Sequence, residues 1–363
     1  MEARPFFSRV AELERKGRRF ALATVVRTQG STPQVVGAKM IVVADDERGR
    51  AAGTLGGGCV EADAILAARD VMAGGGRSLR AYELTEDLAW NTGLVCGGTM
   101  WILAERGEDA LRAGPTPMIE ELARASEGGP PVAVVTLLER DGRQVRYGGR
   151  VFVDAAGTLI GSLGDSVLDE RARVAGLQQL ERGTPRLVSL EGGRDLLADP
   201  VSGRPRLVVA GGGHVALAIA RQAMLIDFDV TIIEDRPEFA DPARFGGATV
   251  LHGDMAGTLA SLDYGWASFI VIATRGHKLD ADCVLAAAKT PVRYIGVLGS
   301  RRKTVLLADM LRAEGVSEGR IAAIHAPVGL DLGGRAPAEI ALSVMAEITR
   351  ERYRGSGQAL REV

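Results

Sequence analysis

A glycine-rich turn between an apolar strand and a helix constrains the fold of this chain more strongly than any other feature. The predicted strand Leu207–Ala210 leads into the turn, and the helix continues to Leu225. The turn fills the pattern G-x-G-x-x-A with Gly211, Gly213 and Ala216. A second strand, Val230–Ile233, follows, and Asp235 stands 24 residues after the first glycine. Strand, turn, helix, strand and terminal acid predict a Rossmann-like βαβ unit whose acid is placed to bind a ribose.

Apolar strands and helices continue to alternate after this unit, which predicts a doubly wound parallel sheet. The loops 274–280 (TRGHKLD) and 298–303 (LGSRRK) follow predicted strands, at the edge where ligands of this fold bind. Their basic residues suit a phosphate or another anion, and a solvated surface is the alternative. The candidate binding residues here are Gly211, Gly213, His214, Asp235, Arg275, His277, Ser300 and Arg301. His252 and Cys283 are predicted to be structural.

The N-terminal part of the chain contains an internal repeat. The segment GTLGGGCVE at 53–61 aligns with GSLGDSVLD at 161–169. The alignment extends upstream, where ALATVVRTQG begins at Ala21 and AVVTLLERDG at Ala133. Because self-similarity of this kind indicates repeated structural units, we predict an α/β domain built from a duplicated strand-strand-strand-helix-strand unit. The predicted copies cover about 20–105 and 131–190.

The two copies differ most at a single cysteine. Gly56, Gly57 and Gly58 lead to Cys59, and a helix is predicted to begin at Val60. A glycine turn lets a ligand approach the backbone closely, and a helix N-terminus offers unpaired N–H groups to an anion. Such a position also favours the thiolate form of a cysteine. The alternative is a strand-to-helix turn in which Cys59 is only a small buried residue.

A second cysteine of the first copy, Cys96, is also followed by glycines, Gly97 and Gly98. It stands 37 residues after Cys59, which is not a zinc-ligand spacing, and all four His residues lie in the last part of the chain. A four-ligand structural metal site is therefore not predicted in this half. Three cysteines in 363 residues form no disulfide framework, so the predicted setting is a reducing cytoplasm.

Composition and charge exclude several classes of partner. The formal net charge of −2 gives no reason to expect nucleic acid or a membrane surface, and no apolar run is long enough to span a bilayer. No secretion signal is predicted. The segment DPVSGRP at 199–205 is a linker by composition. The predicted organisation is an N-terminal domain at 1–198, a Rossmann-like domain at 206–353 and a flexible tail at 354–363.

Seven motifs in order along the chain together resemble one family, the XdhC/CoxI accessory proteins of molybdenum hydroxylases. They are GSTP at 30–33, GTLGGGCVE at 53–61, GLVCGG at 93–98, the glycine turn with His214, TRGH at 274–277, YIGVLGSRRK at 294–303 and HAPVGLDLG at 325–333. The resemblance covers nearly the whole chain. It implies the long form of the family, with an N-terminal XdhC/CoxI domain and a C-terminal Rossmann domain.

The resemblance implies a maturation factor that is not part of the mature enzyme. Such proteins are thought to bind molybdenum cofactor, protect it while its terminal sulfur is installed, and insert it into an apo-hydroxylase. Cys59 is then the first candidate for a molybdenum or sulfur contact and Cys96 the second, and a persulfide relay is equally open for either. The cofactor could be molybdopterin or its cytosine dinucleotide form. Expected partners are an apo-hydroxylase of the xanthine dehydrogenase type, a cysteine desulfurase and a second copy of the chain.

Two alternatives remain open on the sequence. An NAD(P)-dependent oxidoreductase would use the Rossmann half for hydride transfer, with His277 as its proton donor or acceptor. The sequence shows no paired histidine and carboxylate, which weakens this alternative. The third interpretation is a redox or nucleotide sensor that binds a partner. The Rossmann half could hold a nicotinamide dinucleotide, the cytidine-bearing cofactor or the phosphate of the cofactor, and the sequence does not choose among them.

Overall fold

A computed structural model describes residues 5–44, 50–84, 97–265 and 267–362. The chain divides into two compact units, Met1–Gly203 and Arg204–Val363, and each is described by itself. None of the helices in the described part of the chain has the length and apolar run needed to cross a membrane.

The first copy of the repeat is a five-stranded antiparallel sheet with a helix on one face. Its strands are β1 (Phe20–Gln29), β2 (Lys39–Val43), β3 (Arg50–Gly53), β4 (Arg77–Glu83) and β5 (Thr99–Arg106), in the order β3-β2-β1-β5-β4. Helix α2 (Gly58–Gly74) connects β3 to β4. Helix α1 (Phe6–Arg15) precedes the sheet, with Val10 and Leu13 buried as the apolar spacing predicts.

The connection between the copies contains short elements. They are α3 (Gly107–Ala110), β6 (Arg112–Ala113), β7 (Thr116–Pro117) and α4 (Ile119–Ser126). Strands β6 and β7 pair with each other as a small antiparallel ribbon. Helices α1 and α4 contribute apolar residues to one core cluster, which also includes residues of both five-stranded sheets.

The second copy repeats the strand order of the first. Its strands are β8 (Val132–Asp141), β9 (Gln144–Asp154), β10 (Leu159–Ile160), β11 (Arg186–Leu190) and β12 (Arg194–Val201), in the order β10-β9-β8-β12-β11. Helix α5 (Ser166–Arg182) has the same length of 17 residues and the same place as α2. The predicted duplication is therefore confirmed. Its predicted end at 190 is wrong, because β12 completes the second sheet and also takes Asp199–Val201 out of the predicted linker.

Each sheet of the N-terminal unit buries both faces. One face packs against its own helix, as Ala21, Val25 and Met40 do against α2. The other face packs against the opposite sheet, where Val26 and Leu103 share a core cluster with Leu138 and other residues of the second copy. Side chains of a strand alternate between faces, so nearly continuous apolar strands are required for this arrangement.

Reciprocal ion pairs join the two copies across this core. Lys39 and Arg150 stand at equivalent positions, since each pairs with a threonine on the neighbouring strand, and Glu105 and Asp199 are likewise equivalent. Lys39 of the first copy contacts Asp199 of the second, and Arg150 of the second lies 2.8 Å from Glu105 of the first. The two copies thus meet as a symmetric dimer does, with each surface contacting its own equivalent.

The C-terminal unit is a six-stranded parallel sheet with helices on both faces, as the glycine motif predicts. Its strands are β13 (Arg206–Ala210), β14 (Asp229–Glu234), β15 (Thr249–His252), β16 (Ser268–Ile272), β17 (Tyr294–Val297) and β18 (Ile324–His325), in the order β15-β14-β13-β16-β17-β18. The order reverses between β13 and β16, and ligands of such sheets bind at that point, beyond the carboxyl ends of the strands.

The helices of this unit cover the sheet with two separate apolar clusters, one on each face. They are α6 (His214–Leu225), α7 (Pro242–Phe245), α8 (Met255–Ser261), α9 (His277–Ala288), α10 (Arg301–Ala313), α11 (Glu318–Ala322) and α12 (Pro337–Tyr353). The apolar spacing of α12 predicts a buried face of Ile340, Val344, Met345 and Ile348; the last three are buried, and Ile340 is half-buried. The predicted flexible tail includes a short 3-10 helix at Leu360–Glu362.

Candidate functional site

Three glycine-containing loops meet at one edge of the first sheet. Antiparallel pairing brings the end of β1, the start of β2, the end of β3 and the start of β5 to this edge. A Cβ on Gly56 would lie 2.9 Å from Pro33, and one on Gly30 would lie 3.1 Å from the Cα of Gly98. The glycines therefore allow the TQGSTP loop to pack backbone against backbone with the Gly97–Gly98 segment, and allow the Pro33 ring to lie against the Cys59 turn.

The Cys59 turn has the conformation that its three glycines predict. Gly56, Gly57 and Gly58 have φ values of +103°, +76° and +66°, which L side chains rarely adopt. Helix α2 begins at Gly58, so Cys59 lies in its first turn. The Cys59 side chain is exposed, and the alternative of a small buried residue is wrong.

Glu61 organises the turn from inside the helix, a role that the sequence did not suggest. Its Oε2 accepts hydrogen bonds from Thr54 Oγ1 at 2.8 Å, from the N–H of Leu55 at 3.0 Å and from the N–H of Gly57 at 3.2 Å. Asp169 does the same in the second copy, where it accepts from Ser162 and Leu163. The signal was present in the repeat, because an acid occupies this position in both copies.

The first turns of the two equivalent helices are capped differently. In α5, Asp165 Oδ1 accepts from the N–H groups of Val167 at 2.7 Å and Leu168 at 3.3 Å. In α2, Gly57 stands at the capping position, and no side chain of a described residue caps the helix. The N–H groups of Cys59 and its successor thus lack the carboxylate that their equivalents have.

The second predicted cysteine of this region, Cys96, lies outside the described residues. Gly97 and Gly98 are described and lie at the three-loop edge, where a Cβ on Gly98 would come 2.6 Å from the carbonyl oxygen of Gln29. Among the described residues, no group of three or more His, Cys, Asp or Glu side chains is arranged to hold a metal ion. The predicted metal contact at Cys59 would therefore rest on a single described thiol.

The predicted residues of the C-terminal unit come together at the carboxyl edge of its sheet. Gly211 has φ of +117°, and a Cβ there would collide with the carbonyl oxygen of Ala273, so glycine is required where the turns after β13 and β16 approach each other. Gly213 stands at the N-terminus of α6, and His214 is its first residue and is exposed.

The end of β14 carries two acids with different surroundings. Glu234 is buried, and its carboxylate accepts from the N–H of Gly212 at 2.5 Å and from Arg236 Nε at 2.8 Å. Burial would raise the pKa of Glu234, but the Arg236 guanidinium and the backbone N–H groups outweigh it and lower the pKa to about 2. Asp235 is the more exposed acid, and its Oδ2 lies 3.4 Å from Arg275. The structure thus brings together the predicted Asp235 and Arg275.

The other predicted residues begin neighbouring helices at the same edge. His277 is the first residue of α9, Ser300 precedes α10 and Arg301 is its first residue. These positions follow β16 and β17, so all eight candidates of the C-terminal unit lie beyond carboxyl strand ends.

A buried polar cluster that the sequence did not predict joins the two loops after β16 and β17. The Asp280 carboxylate accepts from Thr274 Oγ1 at 2.6 Å and contacts Lys303 Nζ. Lys303 also donates to the carbonyl oxygen of Leu298 at 3.2 Å. Cys283 lies one turn beyond Asp280, and burial, with the nearby acid, raises its pKa to about 12, which suits a structural thiol.

A paired histidine and carboxylate, which the sequence did not show, is present in the structure. His325 Nδ1 lies 3.4 Å from Glu347 Oε1, and the His325 ring stacks on Tyr294 with 4.5 Å between centroids. Glu347 also accepts from the Tyr294 hydroxyl at 2.9 Å and the Gly329 N–H at 3.0 Å. Burial would raise the pKa of Glu347, but the hydrogen bonds from His325, Gly329 and Tyr294 lower it to about 2.

Comparison with known proteins identifies matches to both units. The model of the XdhC and CoxI family matches residues 13–83, and the model of the XdhC Rossmann domain matches 207–348. A xanthine dehydrogenase from Bacillus halodurans has a similar solved structure, with a TM-score of 0.66, 21% identity and 98% of each chain covered. At this identity the likeness concerns the fold alone.

Three curated relatives match long parts of the chain. Protein YqeB of Escherichia coli is 32% identical over 65% of this chain, and the match spans 46% of the length of YqeB. A protein of Bacillus subtilis described as a probable xanthine dehydrogenase subunit is 26% identical over 92% of this chain and 93% of its own. The molybdenum cofactor insertion chaperone PaoD of Escherichia coli is 27% identical over 93% of this chain and 84% of its own. With family models matching in both units, the chain belongs to the XdhC and CoxI family.

Proposed function

We propose that this protein binds molybdenum cofactor, protects it during sulfuration and inserts it into an apo-hydroxylase of the xanthine dehydrogenase type. Family membership supports a maturation role, and PaoD, which aligns over most of the chain, is named a molybdenum cofactor insertion chaperone. The observation that carries the proposal is the uncapped first turn of α2 with its exposed Cys59.

The second copy supports this interpretation of the Cys59 turn with a carboxylate of its own. Asp165 places an anionic oxygen on the N–H groups of Val167 and Leu168. The equivalent N–H groups of Cys59 and Val60 would donate hydrogen bonds to a phosphate or another anionic oxygen of the cofactor in the same way. The glycine turn fits a group that must approach the backbone, because no side chain rises from positions 56 to 58.

The chemistry of the thiol also fits the cofactor. Molybdenum with sulfur ligands is soft enough to accept a thiolate, so Cys59 could contact the metal, or it could carry sulfur as a persulfide. Cys96, Gly97 and Gly98 are proposed as further contacts. When bound, the cofactor would supply the molybdenum chemistry of the client enzyme, whereas the residues of this chain would hold and shield it.

The carboxyl edge of the C-terminal unit would take the nucleotide or phosphate part of a ligand. Gly211, Gly213 and His214 offer the N-terminus of α6, and Arg275, His277, Ser300 and Arg301 follow the next strands. Asp235 is the proposed ribose acid. The apo-hydroxylase is the proposed partner, while a cysteine desulfurase, a homodimer and a cytoplasmic setting remain predictions from the sequence.

A nicotinamide-dependent oxidoreductase is the second candidate, and the His325–Glu347 pair favours it. A histidine oriented by a carboxylate is a common proton donor or acceptor in hydride transfer. His325 is the last residue of β18, which lies three strands from β13 and so about 14 Å away in the plane of the sheet. Steady oxidation of NADH or NADPH with a small substrate, lost in His325→Gln, would support this candidate.

The test of the proposed function is bound pterin. The chain, expressed in a host that makes molybdenum cofactor, should copurify with near-stoichiometric pterin, assayed by fluorescence after release and oxidation. Cys59→Ala should lose it, and Val167→Ala, at the equivalent exposed position of α5, should retain it. Pterin retained by Cys59→Ala would support the carrier function and show that the Cys59 thiol is not required for binding. No pterin in any variant, where a known carrier loads, would overturn the proposal.

A further inference from the structure

A charged cluster between the two copies of the N-terminal unit holds two cations for one buried anion. Asp195 of β12 has a fully buried side chain, and its Oδ2 contacts Arg27 of β1. The same oxygen lies 2.7 Å from the Nε of Arg140, on β8. No other carboxylate of a described residue pairs with either guanidinium. The cluster therefore carries an excess of one positive charge.

Three polar atoms of this cluster are buried and have no hydrogen-bond partner among the described residues. They are the acceptor Asp195 Oδ1 and the donors Arg140 Nε and Trp101 Nε1. The Trp101 ring lies beside Arg27, with 5.4 Å between the guanidinium carbon and the ring centroid. Because a buried polar atom without a partner is costly, unpaired donors beside an unpaired acceptor indicate a ligand that both accepts and donates. The four side chains are called the Asp195 cluster below.

The fold does not require this cluster, because the two copies differ at its positions. Asp195 and Trp101 are equivalent, since each stands four residues before the buried acid of its strand, at 199 or 105. Arg27 pairs with Trp101 in the first sheet, where Leu138 pairs with Asp195 in the second. The carboxylate and the Arg27 guanidinium are therefore not repeated, although both copies form the same strands.

The Asp195 cluster is open to solvent on its cationic side. The side chains of Arg27 and Arg140 are 20% and 29% exposed. A guanidinium binds a tetrahedral oxyanion through parallel N–H groups, and charge-assisted hydrogen bonds of this kind are the strong ones. Hydrogen phosphate also retains a P–OH group that can donate to a carboxylate, whereas sulfate has the same shape and no proton to donate.

We propose that the Asp195 cluster binds inorganic phosphate between the two copies. The two arginines and the Trp101 indole would donate to phosphate oxygens, and Asp195 Oδ1 would accept from the P–OH group. Trp101 belongs to the core cluster between the sheets, whereas its neighbours Met100 and Ile102 pack against α2, so the site lies on the other face of the first sheet from that helix. The site does not depend on the proposed cofactor contacts of the Cys59 turn.

The indole NMR signals of the full chain test the site. The chain has three tryptophans, so isotopic labelling of tryptophan gives three indole N–H signals, and Trp101→Phe identifies the one that belongs to Trp101. Phosphate should shift this signal saturably and bind at least about tenfold more tightly than sulfate, the range of a hydrogen bond to a charged group. Equal affinities for the two anions, or a shift that sodium chloride of matched ionic strength reproduces, overturns the site. Tighter binding of glycerol 3-phosphate than of phosphate would overturn free phosphate as the ligand.

Arg140→Gln removes the excess charge and leaves Arg27 on Asp195, so the unit should fold and its phosphate affinity should fall at least about tenfold. Arg143→Gln is the matched control and should bind phosphate as the wild type does, because it removes the same charge from a side chain that is 95% exposed. Retained affinity in Arg140→Gln overturns the site.

Asp195→Asn gives an effect of the opposite sign, which a failure to fold cannot produce. The carboxylate repels sulfate, which cannot donate to it, so this variant should bind sulfate at least about tenfold more tightly than the wild type does. An unchanged preference for phosphate over sulfate overturns the role of Asp195. Pterin copurification without phosphate binding would overturn the phosphate site and leave the proposed carrier function standing.

Discussion

The first turns of α2 and α5 occupy equivalent places in two copies of one fold, and they differ in the capping of their N–H groups. The second copy closes its turn with Asp165, an internal anion on the helix N-terminus. The first copy has glycine there and an exposed cysteine two residues later. The supporting parts are the same in both, since an acid at the fourth residue of each helix holds the preceding loop.

This difference separates what the scaffold needs from what a ligand would need. Strand order, helix length and the loop-holding acid are shared, so the fold accounts for them. The glycines at 57 and 58 and the thiol at 59 are not shared, and the second copy folds in the same way without them. The second copy is therefore an internal control for the first, and variants can be designed by exchanging residues between them.

The largest effect is expected where the copies meet. Glu105→Ala leaves the buried Arg150 without its carboxylate, and Asp199→Ala does the same to Lys39, so each should lower the free energy of unfolding by about 3–5 kcal/mol. Hydrogen exchange of the β1 and β8 amides under mild denaturant would report this unit specifically. Arg173→Ala, which breaks an exposed pair on α5, should leave exchange unchanged. Unchanged hydrogen exchange in Asp199→Ala would show that the Lys39–Asp199 pair stabilises the unit much less than the equivalent Arg150–Glu105 pair.

The second-largest effect is expected when the residues of the Asp165-capped turn of α5 replace their equivalents in the first copy. The combined change Gly57→Asp, Gly58→Ser and Cys59→Val should lower copurified pterin at least about tenfold, because a carboxylate would occupy the N–H groups proposed for the cofactor. Its unfolding temperature should fall slightly, because Gly57 has φ of +76° where the equivalent Asp165 has −144°, and the backbone of the turn must change. Cys59→Val alone separates loss of the thiol from closure of the turn. Full pterin loading of the combined variant would contradict the proposed site.

A third difference between the copies lies in the middle of the two helices. Gln179 of α5 is buried, and its amide finds no hydrogen-bond partner among the described residues, whereas the equivalent residue of α2 is Val71. Gln179→Leu should therefore raise the free energy of unfolding by about 1–2 kcal/mol in denaturant titrations. The reverse change, Val71→Gln, should be destabilising. Loss of stability in Gln179→Leu would show that the amide has a partner.

The smallest effect is expected from removing the Asp165 cap at the first turn of α5. Asp165→Ala should cost about 1 kcal/mol of unfolding free energy, since two N–H groups of α5 lose their acceptor. Asp165→Asn, which retains a capping oxygen, should recover most of this loss. Pterin content should not change in either variant, and a change would mean that the second copy also takes part in binding.

Much of the fold follows from local patterns in the sequence. The turn at Gly211–Gly213, the strands around it and the acid at 235 are close in sequence, so their spacing alone predicts the βαβ unit. The duplication was visible because both copies keep glycines and apolar positions in register. Its second boundary was missed because β11 is followed by one more strand, the eight-residue β12, which the alignment did not reach.

Most of the missed features depend on residues far apart in sequence, whereas the missed role of Glu61 is local and is indicated by the acid that both copies share. Glu347 lies on α12, whose apolar spacing predicts which face of the helix is buried. No pattern near Glu347 or His325 in the sequence predicts that the two side chains meet. The Asp280–Lys303 contact and the pairs between the copies are set by tertiary packing. Glu105 and Asp199 are each buried beside a cation of the other copy. The sequence alone does not predict this burial, because charged residues on strands are usually exposed.

The reciprocal pairs have a consequence for folding. Separating the halves would leave Lys39, Asp199 and Arg150 without their partners in the other half, whereas Glu105 would keep Arg77 of its own half at 2.6 Å. An isolated half would therefore expose an apolar sheet face with unpaired charge on it, which water would have to solvate. The halves are therefore expected to fold in one cooperative step, and a truncation between Ser126 and Val132 should yield aggregation-prone fragments rather than two small stable proteins.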